Sequence, residues 1–260
     1  MTRILITNDD GISSPGLHAV AIALHNEGHE VLAVAPSGER SGWGAGVGTL
    51  DDGSEFSTEQ FEIPGYEKIS AWSVDGPPAF CVLTAMLETF GKRPELVISG
   101  SNDGANCGRG ILHSGTVGGA MIAQNFGLSG IALSQKRTPS EMIWETSGEV
   151  AIAAVNWIVE AARKTVLNIN IPNTTIDKVK GVRVAQIAAF GTTQTSLTGT
   201  VPGNLCIKVS SRDVELAADT DTALLDEGFI TVTGLIGYRS ENEQGRDAAE
   251  SIERYANRLS

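Results

Sequence analysis

The stretch Thr7-Asn8-Asp9-Asp10-Gly11 sets two adjacent carboxylates directly after the apolar run Arg3-Ile4-Leu5-Ile6. A short apolar run of this kind reads as a buried parallel strand. Ligands bind at the carboxyl ends of such strands in open α/β sheets. Neighbouring carboxylates repel each other, and burying either one needs a compensating partner. A hard divalent cation is such a partner, because it takes oxygen ligands and relieves the repulsion. Gly11 permits the sharp turn that aims both side chains at one point. The same letters also serve as ordinary turn and helix-cap chemistry, as Asp51-Asp52-Gly53 in a polar loop illustrates.

Three later stretches add donors at the same sheet edge. Ser41 lies in the loop Ser37-Gly38-Glu39-Arg40-Ser41-Gly42 after a second strand, where its hydroxyl oxygen can join the cation. The glycines from Gly42 to Gly48 read as a flexible rim; no helix follows them, so they are not a dinucleotide loop. In Gly100-Ser101-Asn102-Asp103-Gly104-Ala105-Asn106-Cys107-Gly108, Asn102 offers a side-chain carbonyl to a hard cation. Asn106 offers amide N–H groups to a phosphoryl oxygen, although Asn and Gly are also plain turn formers. His113-Ser114-Gly115-Thr116 opens a helix, where free backbone N–H groups favour an anion and Ser114 and Thr116 add hydroxyl donors. An ordinary N-cap has the same geometry. His25 and His29 are four apart, but Gly28 between them ends the helix, so they read as surface residues rather than ligands.

The elements that must position these residues follow from periodicity. Ser14-Pro15 starts a helix through Leu17, Val20 and Leu24, and Glu30–Ala35 is the next strand, which makes a βαβ unit. Short β-like runs at 61–63 and 69–74 read as a hairpin or small excursion. Asp75-Gly76-Pro77-Pro78 starts a helix in which Cys81 and Met86 are core. Strands follow at 95–99, 130–134 and 166–171, with a long helix over about 141–163, and the main sheet is expected to be complete at residue 171. Beyond it, Val182–Ala188 and Leu205–Val209 read as strands of a protruding hairpin separated by a Gly/Thr/Ser-rich loop. A short helix after Thr220, a strand at 229–233 and a charged helical tail over 241–259 complete the chain. The fold class is α/β: one domain over 1–175 and a C-terminal extension over 176–260.

The chain has 260 residues, and 41% hydrophobic content is enough for a substantial core. Lys plus Arg is 19 against 31 Asp plus Glu, a net charge of −12, which argues against nucleic acid polymers and anionic membranes as partners. Three widely spaced cysteines make no disulfide framework. Without a signal-peptide pattern or an apolar run of membrane-spanning length, the expected setting is the cytoplasm.

Taken in order, Asn8-Asp9-Asp10-Gly11, Ala35-Pro36 with Ser41-Gly42, Val74-Asp75-Gly76-Pro77-Pro78-Ala79, Ser99–Asn106, Ser114-Gly115-Thr116-Val117-Gly118 and Thr220-Asp221 resemble the SurE family, the survival-protein 5′/3′-nucleotidases. The resemblance runs to about Gly234. It implies a Rossmann-like, mostly parallel sheet with helices on both faces and a C-terminal β-hairpin extension used in dimers or tetramers. It implies metal-dependent hydrolysis of nucleoside 5′- and 3′-monophosphates. One Mg²⁺ or Mn²⁺ is implied on Asp9, Asp10, Ser41 and Asn102, with phosphate contacts from Asn106, Ser114, Gly115 and Thr116. Asp9, Asp10 and Asn106 are the implied catalytic set.

The chain departs from the family at Gly44–Gly48, where Ser or Thr is usual, at Phe80 and at Gly234. The glycine-substituted rim motivates a rival reading, a non-catalytic nucleotide or metal sensor. A second rival, an aspartyl-phosphate phosphotransferase, wants Asp-x-Asp and meets Asn8 in the place of the first carboxylate.

Overall fold

The computed structural model describes residues 1–189, 193–201, 204–211 and 215–238, with 246, 248, 249, 252 and 253. The helix expected over 241–259 lies largely outside the described residues. The elements run in the order β1 (Arg3–Thr7), α1 (Pro15–Asn26), β2 (Glu30–Pro36), β3 (Thr58–Phe61), β4 (Ser70–Val74), α2 (Pro78–Met86), β5 (Leu96–Asp103) and α3 (Gly115–Met121). They continue with β6 (Ser129–Gln135), α4 (Trp144–Ile158), β7 (Val166–Ile171), β8 (Val182–Val184), β9 (Thr193–Val201), β10 (Asn204–Ser211), α5 (Asp221–Asp226) and β11 (Ile230–Leu235).

Nine strands form one sheet in the order β3-β4-β2-β1-β5-β6-β7-β11-β8. The run from β4 to β7 is parallel, while β3 and β11 pair antiparallel with β4 and β7. From β1 the chain moves outward through β2 to β4, then crosses back to β5 and proceeds to β6 and β7. The direction reverses between β1 and β5, so the carboxyl ends of those two strands border the crevice where ligands of open α/β sheets bind.

Successive side chains of a strand point to opposite faces, so central strands need apolar residues throughout. Ile4 and Ile6 join Leu17, Val20, Leu24, Ala151 and Val155 beneath α1 and α4. Leu5 faces the other way, with Val34, Phe80, Cys81 and Val82 beneath α2. Helices therefore cover both faces. Pro15 opens α1, and Gly28, with φ of 83°, follows its end.

Several expectations are corrected. The sheet does not end at residue 171, because β11 pairs with β7 and β8 pairs with β11. Val182–Val184 therefore belongs to the main sheet, and the antiparallel hairpin is β9 with β10. The supposed loop is largely β9, whose recurring threonines favour extended backbone despite Gly199. The β3–β4 pair is the edge of the main sheet rather than an excursion, and β3 begins at Thr58. α4 is shorter than expected; Asn173 Oδ1 accepts the Ile143 N–H at 2.9 Å just before its first turn. β5 continues through Gly100 to Asp103 across a bulge, where a Cβ on Gly100 would lie 2.2 Å from the Leu133 carbonyl oxygen.

Candidate active site

The turn after β1 is locked by Asn8, which is fully buried. Its Nδ2 donates to the Gly11 carbonyl oxygen and its Oδ1 accepts the Gly11 N–H, both at 3.1 Å. Gly11 holds φ of 101°, a left-handed conformation that favours glycine. The locked turn fixes where the two carboxylates stand. Asp9 is 3% exposed, and its Oδ1 accepts the Thr116 hydroxyl at 2.5 Å. Asp10 Oδ2 accepts the Asp103 N–H at 3.2 Å, which ties the end of β1 to the end of β5. Burial pushes the Asp9 carboxyl above its ordinary range, against the pull of the Thr116 hydrogen bond. Burial also raises Asp10, to about 6, and the negative charges of Asp9, Glu39 and Asp103 add to that rise.

The loop after β2 enters beside this pair, with the Arg40 N–H donating to the Asp9 carbonyl oxygen at 2.7 Å. Ser41 is exposed and turns toward Glu39, whose Oε1 accepts both the Ser41 N–H at 2.9 Å and the Ser41 hydroxyl at 2.5 Å. A hydroxyl that ligates a cation must present a lone pair and donate its proton elsewhere. Glu39 is such an acceptor. The rim that follows is anchored rather than free. Gly44 is buried, its N–H donates to the His113 carbonyl oxygen at 3.2 Å, and a Cβ on Gly118 of α3 would lie 2.1 Å from the Gly44 carbonyl oxygen.

Asn102, at the end of β5, donates its Nδ2 to the Gly104 carbonyl oxygen at 2.7 Å, so the side-chain atom left for a cation is Oδ1. Asp103 forms a bidentate pair with Arg137 at 2.8 and 2.9 Å. Asn106 is clamped from β7. Asn170 Oδ1 accepts its N–H at 2.7 Å, while Asn168 and Asn170 both donate to its carbonyl oxygen, at 2.8 and 3.0 Å. The Asn106 Nδ2 donates to Ser134 Oγ at 2.8 Å, which uses one of its two N–H donors. Asp221, fully buried, holds the same loop from the C-terminal side by accepting the Gly108 N–H at 2.9 Å, the Ala188 N–H at 3.0 Å and the Thr222 N–H at 2.8 Å.

α3 begins against the acidic pair. Ser114 caps it by accepting the Val117 N–H at 3.1 Å, which leaves the Ser114 hydroxyl proton as a donor. Gly115 is required by close approach, since a Cβ there would lie 2.8 Å from both Cβ and Oδ2 of Asp9. The Thr116 hydroxyl proton is committed to Asp9.

The structure brings Gly115 and Thr116 onto Asp9, and Asp103, the neighbour of Asn102, onto Asp10, with Ser114 capping the same helix and the Ser41 loop tied to Asp9 through the Arg40 N–H. Asn106 is held by Ser134, Asn168 and Asn170. Among the described residues, no hydrogen bond links the Ser41 or Asn106 side chain to Asp9 or Asp10. No group of three or more His, Cys, Asp or Glu side chains is placed to hold a metal among the described residues. A cation here must therefore combine the two carboxylates with neutral oxygens from Ser41 and Asn102, a set suited to a hard ion. The roles of Asn8, Glu39, Asn168, Asn170 and Asp221 were not assigned from sequence. Asn168 and Asn170 carried a signal, because two amides on one face of a buried strand must find partners.

The family model described as Survival protein SurE matches residues 4–194. A 5′-nucleotidase SurE from Carboxydothermus hydrogenoformans is 35% identical over 239 residues, spanning 89% of each chain. A 5′/3′-nucleotidase SurE from Cronobacter sakazakii is 34% identical over 238 residues, spanning 90% of this chain and 89% of its own. The crystal structure of the SurE protein from Aquifex aeolicus aligns with a TM-score of 0.77 at 28% identity, over 96% of this chain and 99% of that one. With the order of motifs, the sheet topology and the crevice all in agreement, this chain belongs to the SurE family.

Proposed function

We propose that this chain is a metal-dependent phosphomonoesterase that hydrolyses nucleoside 5′- and 3′-monophosphates to nucleoside and phosphate. The observation that carries this reading is the crevice itself. A buried Asp9 and a half-buried Asp10 stand at the sheet's reversal point, with Asp9 directly against a capped helix start with donor groups, in a chain whose relatives are named nucleotidases.

The cation is one Mg²⁺ or Mn²⁺, held by Asp9, Asp10, Ser41 and Asn102; once bound, it supplies Lewis-acid polarisation of the phosphoryl oxygens. Thr116 fixes Asp9 by engaging Oδ1, so that Oδ2 would be the oxygen available to a cation. Asp103 fixes Asp10 in the same way through its backbone N–H. The remaining N–H of Asn106, the Ser114 hydroxyl and the backbone at Gly115 and Thr116 bind the ester's anionic group and offset the charge that builds up as the bond to the leaving group breaks. An oxygen of Asp9 or Asp10 orients the attacking water.

In this reading residues 1–175 carry the catalytic machinery and 176–260 form the extension. All eight proposed site residues lie in the first part. The β9–β10 hairpin is a sheet of its own, with Leu197, Leu205 and Ile207 exposed. An isolated two-stranded hairpin with apolar side chains in water is marginal, which supports its use in a homodimer or homotetramer. No helix of the described residues is long and apolar enough to cross a membrane. Cys81 and Cys107 are free thiols, in keeping with a cytoplasmic setting.

The test is a panel of phosphomonoesters with several divalent ions. The expected result is phosphate release from nucleoside monophosphates that stops on chelation and returns with Mn²⁺ or Mg²⁺. Nucleotide binding without phosphate release would overturn this reading in favour of a sensor.

A further inference from the structure

The crevice leaves one conspicuous side chain without a role. Trp43 lies two residues after Ser41 and directly before Gly44. Its backbone is held on both sides. The Gly44 N–H bonds the His113 carbonyl oxygen at 3.2 Å, and the Gly46 N–H closes a turn on the Trp43 carbonyl oxygen at 3.1 Å. Val47 packs into the cluster of Leu5, Phe80 and Cys81. The segment is thus fastened between the cation side of the crevice, at Ser41, and the phosphate side, at Ser114 to Thr116. Even so, the Trp43 indole is 49% exposed. A large apolar ring left half in water on an anchored loop forgoes burial that a looser loop would allow. Among the described residues the other exposed aromatics are Phe56, whose ring packs on Phe80, Trp157 on α4 and Tyr238 beyond β11.

An ester whose phosphate sits at the start of α3 lies beside this rim, because Gly44 bonds His113 just before that helix and its carbonyl oxygen meets Gly118 within it. We propose that Trp43 is a stacking platform for the nucleobase, and that it makes the chain selective for nucleotides over phosphate esters that lack a base. The inference rests on the phosphomonoesterase reading and adds a specificity determinant to it. An indole face accepts any base, because every base has a π-face, and it favours the larger purines. Gly44 lets the rim lie against the turn just before α3, where a Cβ on Gly44 would lie 2.8 Å from the Leu112 carbonyl oxygen.

The experiment compares adenosine 5′-monophosphate with ribose 5-phosphate, which shares its sugar and phosphate but has no base. Stacking one base on an aromatic side chain corresponds to about a 5- to 150-fold change in affinity. Trp43→Ala is expected to raise KM for the nucleotide by about tenfold or more, with kcat nearly unchanged and KM for ribose 5-phosphate unmoved. Trp43→Phe is expected to restore much of the difference. Equal effects on both esters, or no effect on either, would overturn the inference while leaving the activity intact. A change in oligomer mass with an unchanged KM ratio would overturn it too, by assigning Trp43 to a subunit contact. A wild-type chain that turns over neither ester would end both the phosphomonoesterase reading and this inference.

Discussion

Asp10 carries the clearest pH signature at the residue scale. Its carboxyl rises from an ordinary value of 3.8 to about 6 in the metal-free chain. The folded state therefore favours the neutral form. This contribution to stability is fully present below about pH 4 and is lost as pH rises through about 6. Urea titrations in chelator across that range should show wild type losing stability relative to Asp10→Asn; parallel curves would contradict the burial account. Metal binding needs the ionised form, so the stabilisation given by Mn²⁺ should weaken as pH falls below about 6. Glu39 makes a second prediction. Its carboxylate takes the Ser41 proton, so Glu39→Ala should weaken Mn²⁺ affinity by about tenfold or more, as the loss of a ligand-orienting partner typically does. Calorimetric titration measures this directly, and an unchanged affinity would show that Ser41 needs no orienting partner. Asp9, Asp10 and Asn102 were legible in the sequence because each sits in a short run whose neighbours declare a turn at a strand end. Glu39 was not, since a lone acid in a polar loop looks like any solvated charge.

Elements carry the positioning. Gly115 brings α3 to within contact of Asp9, and Gly115→Ala would force a Cβ to 2.8 Å from the carboxylate. Overpacking of this kind costs about 1–3 kcal/mol, and here it also displaces a proposed ligand. Mutant kcat should therefore fall by about tenfold or more while the fold persists by circular dichroism. Asp221→Ala tests the opposite wall. It would strip a fully buried acceptor from the Gly108 and Ala188 N–H groups, each costing about 1–3 kcal/mol when left unsatisfied. A clear fall in the denaturant midpoint is expected, and an unchanged midpoint would show that the clamp is dispensable. The type and order of the parallel strands and their helices could be read from apolar periodicity, because those elements are buried and regular. The C-terminal hairpin and its strand β10 were expected, but its first strand was placed at 182–188: Gly199 and the polar threonines of β9 mimic a loop, and its pairing with β10 is invisible to local pattern. The Asp221 clamp was equally hidden, since its partner Gly108 lies 113 residues away.

The whole molecule joins these parts at a single crevice. Reversal of strand order between β1 and β5 brings residues 9, 10, 102 and 103 together although the chain separates them by nine decades of sequence. The net charge of −12 suits small anionic substrates held by a cation rather than by a basic surface. At this scale, replacing Leu197, Leu205 and Ile207 with lysine should lower the assembly's mass in light scattering, because these exposed side chains are the apolar faces of a hairpin with no sheet beneath it. The account stands most directly on where the cation sits. A crystal structure with Mn²⁺, read by anomalous scattering, should show one ion per chain among Asp9, Asp10, Ser41 and Asn102. An ion bound elsewhere, or those four side chains left without one while the crystals' protein remains active in Mn²⁺, would contradict it.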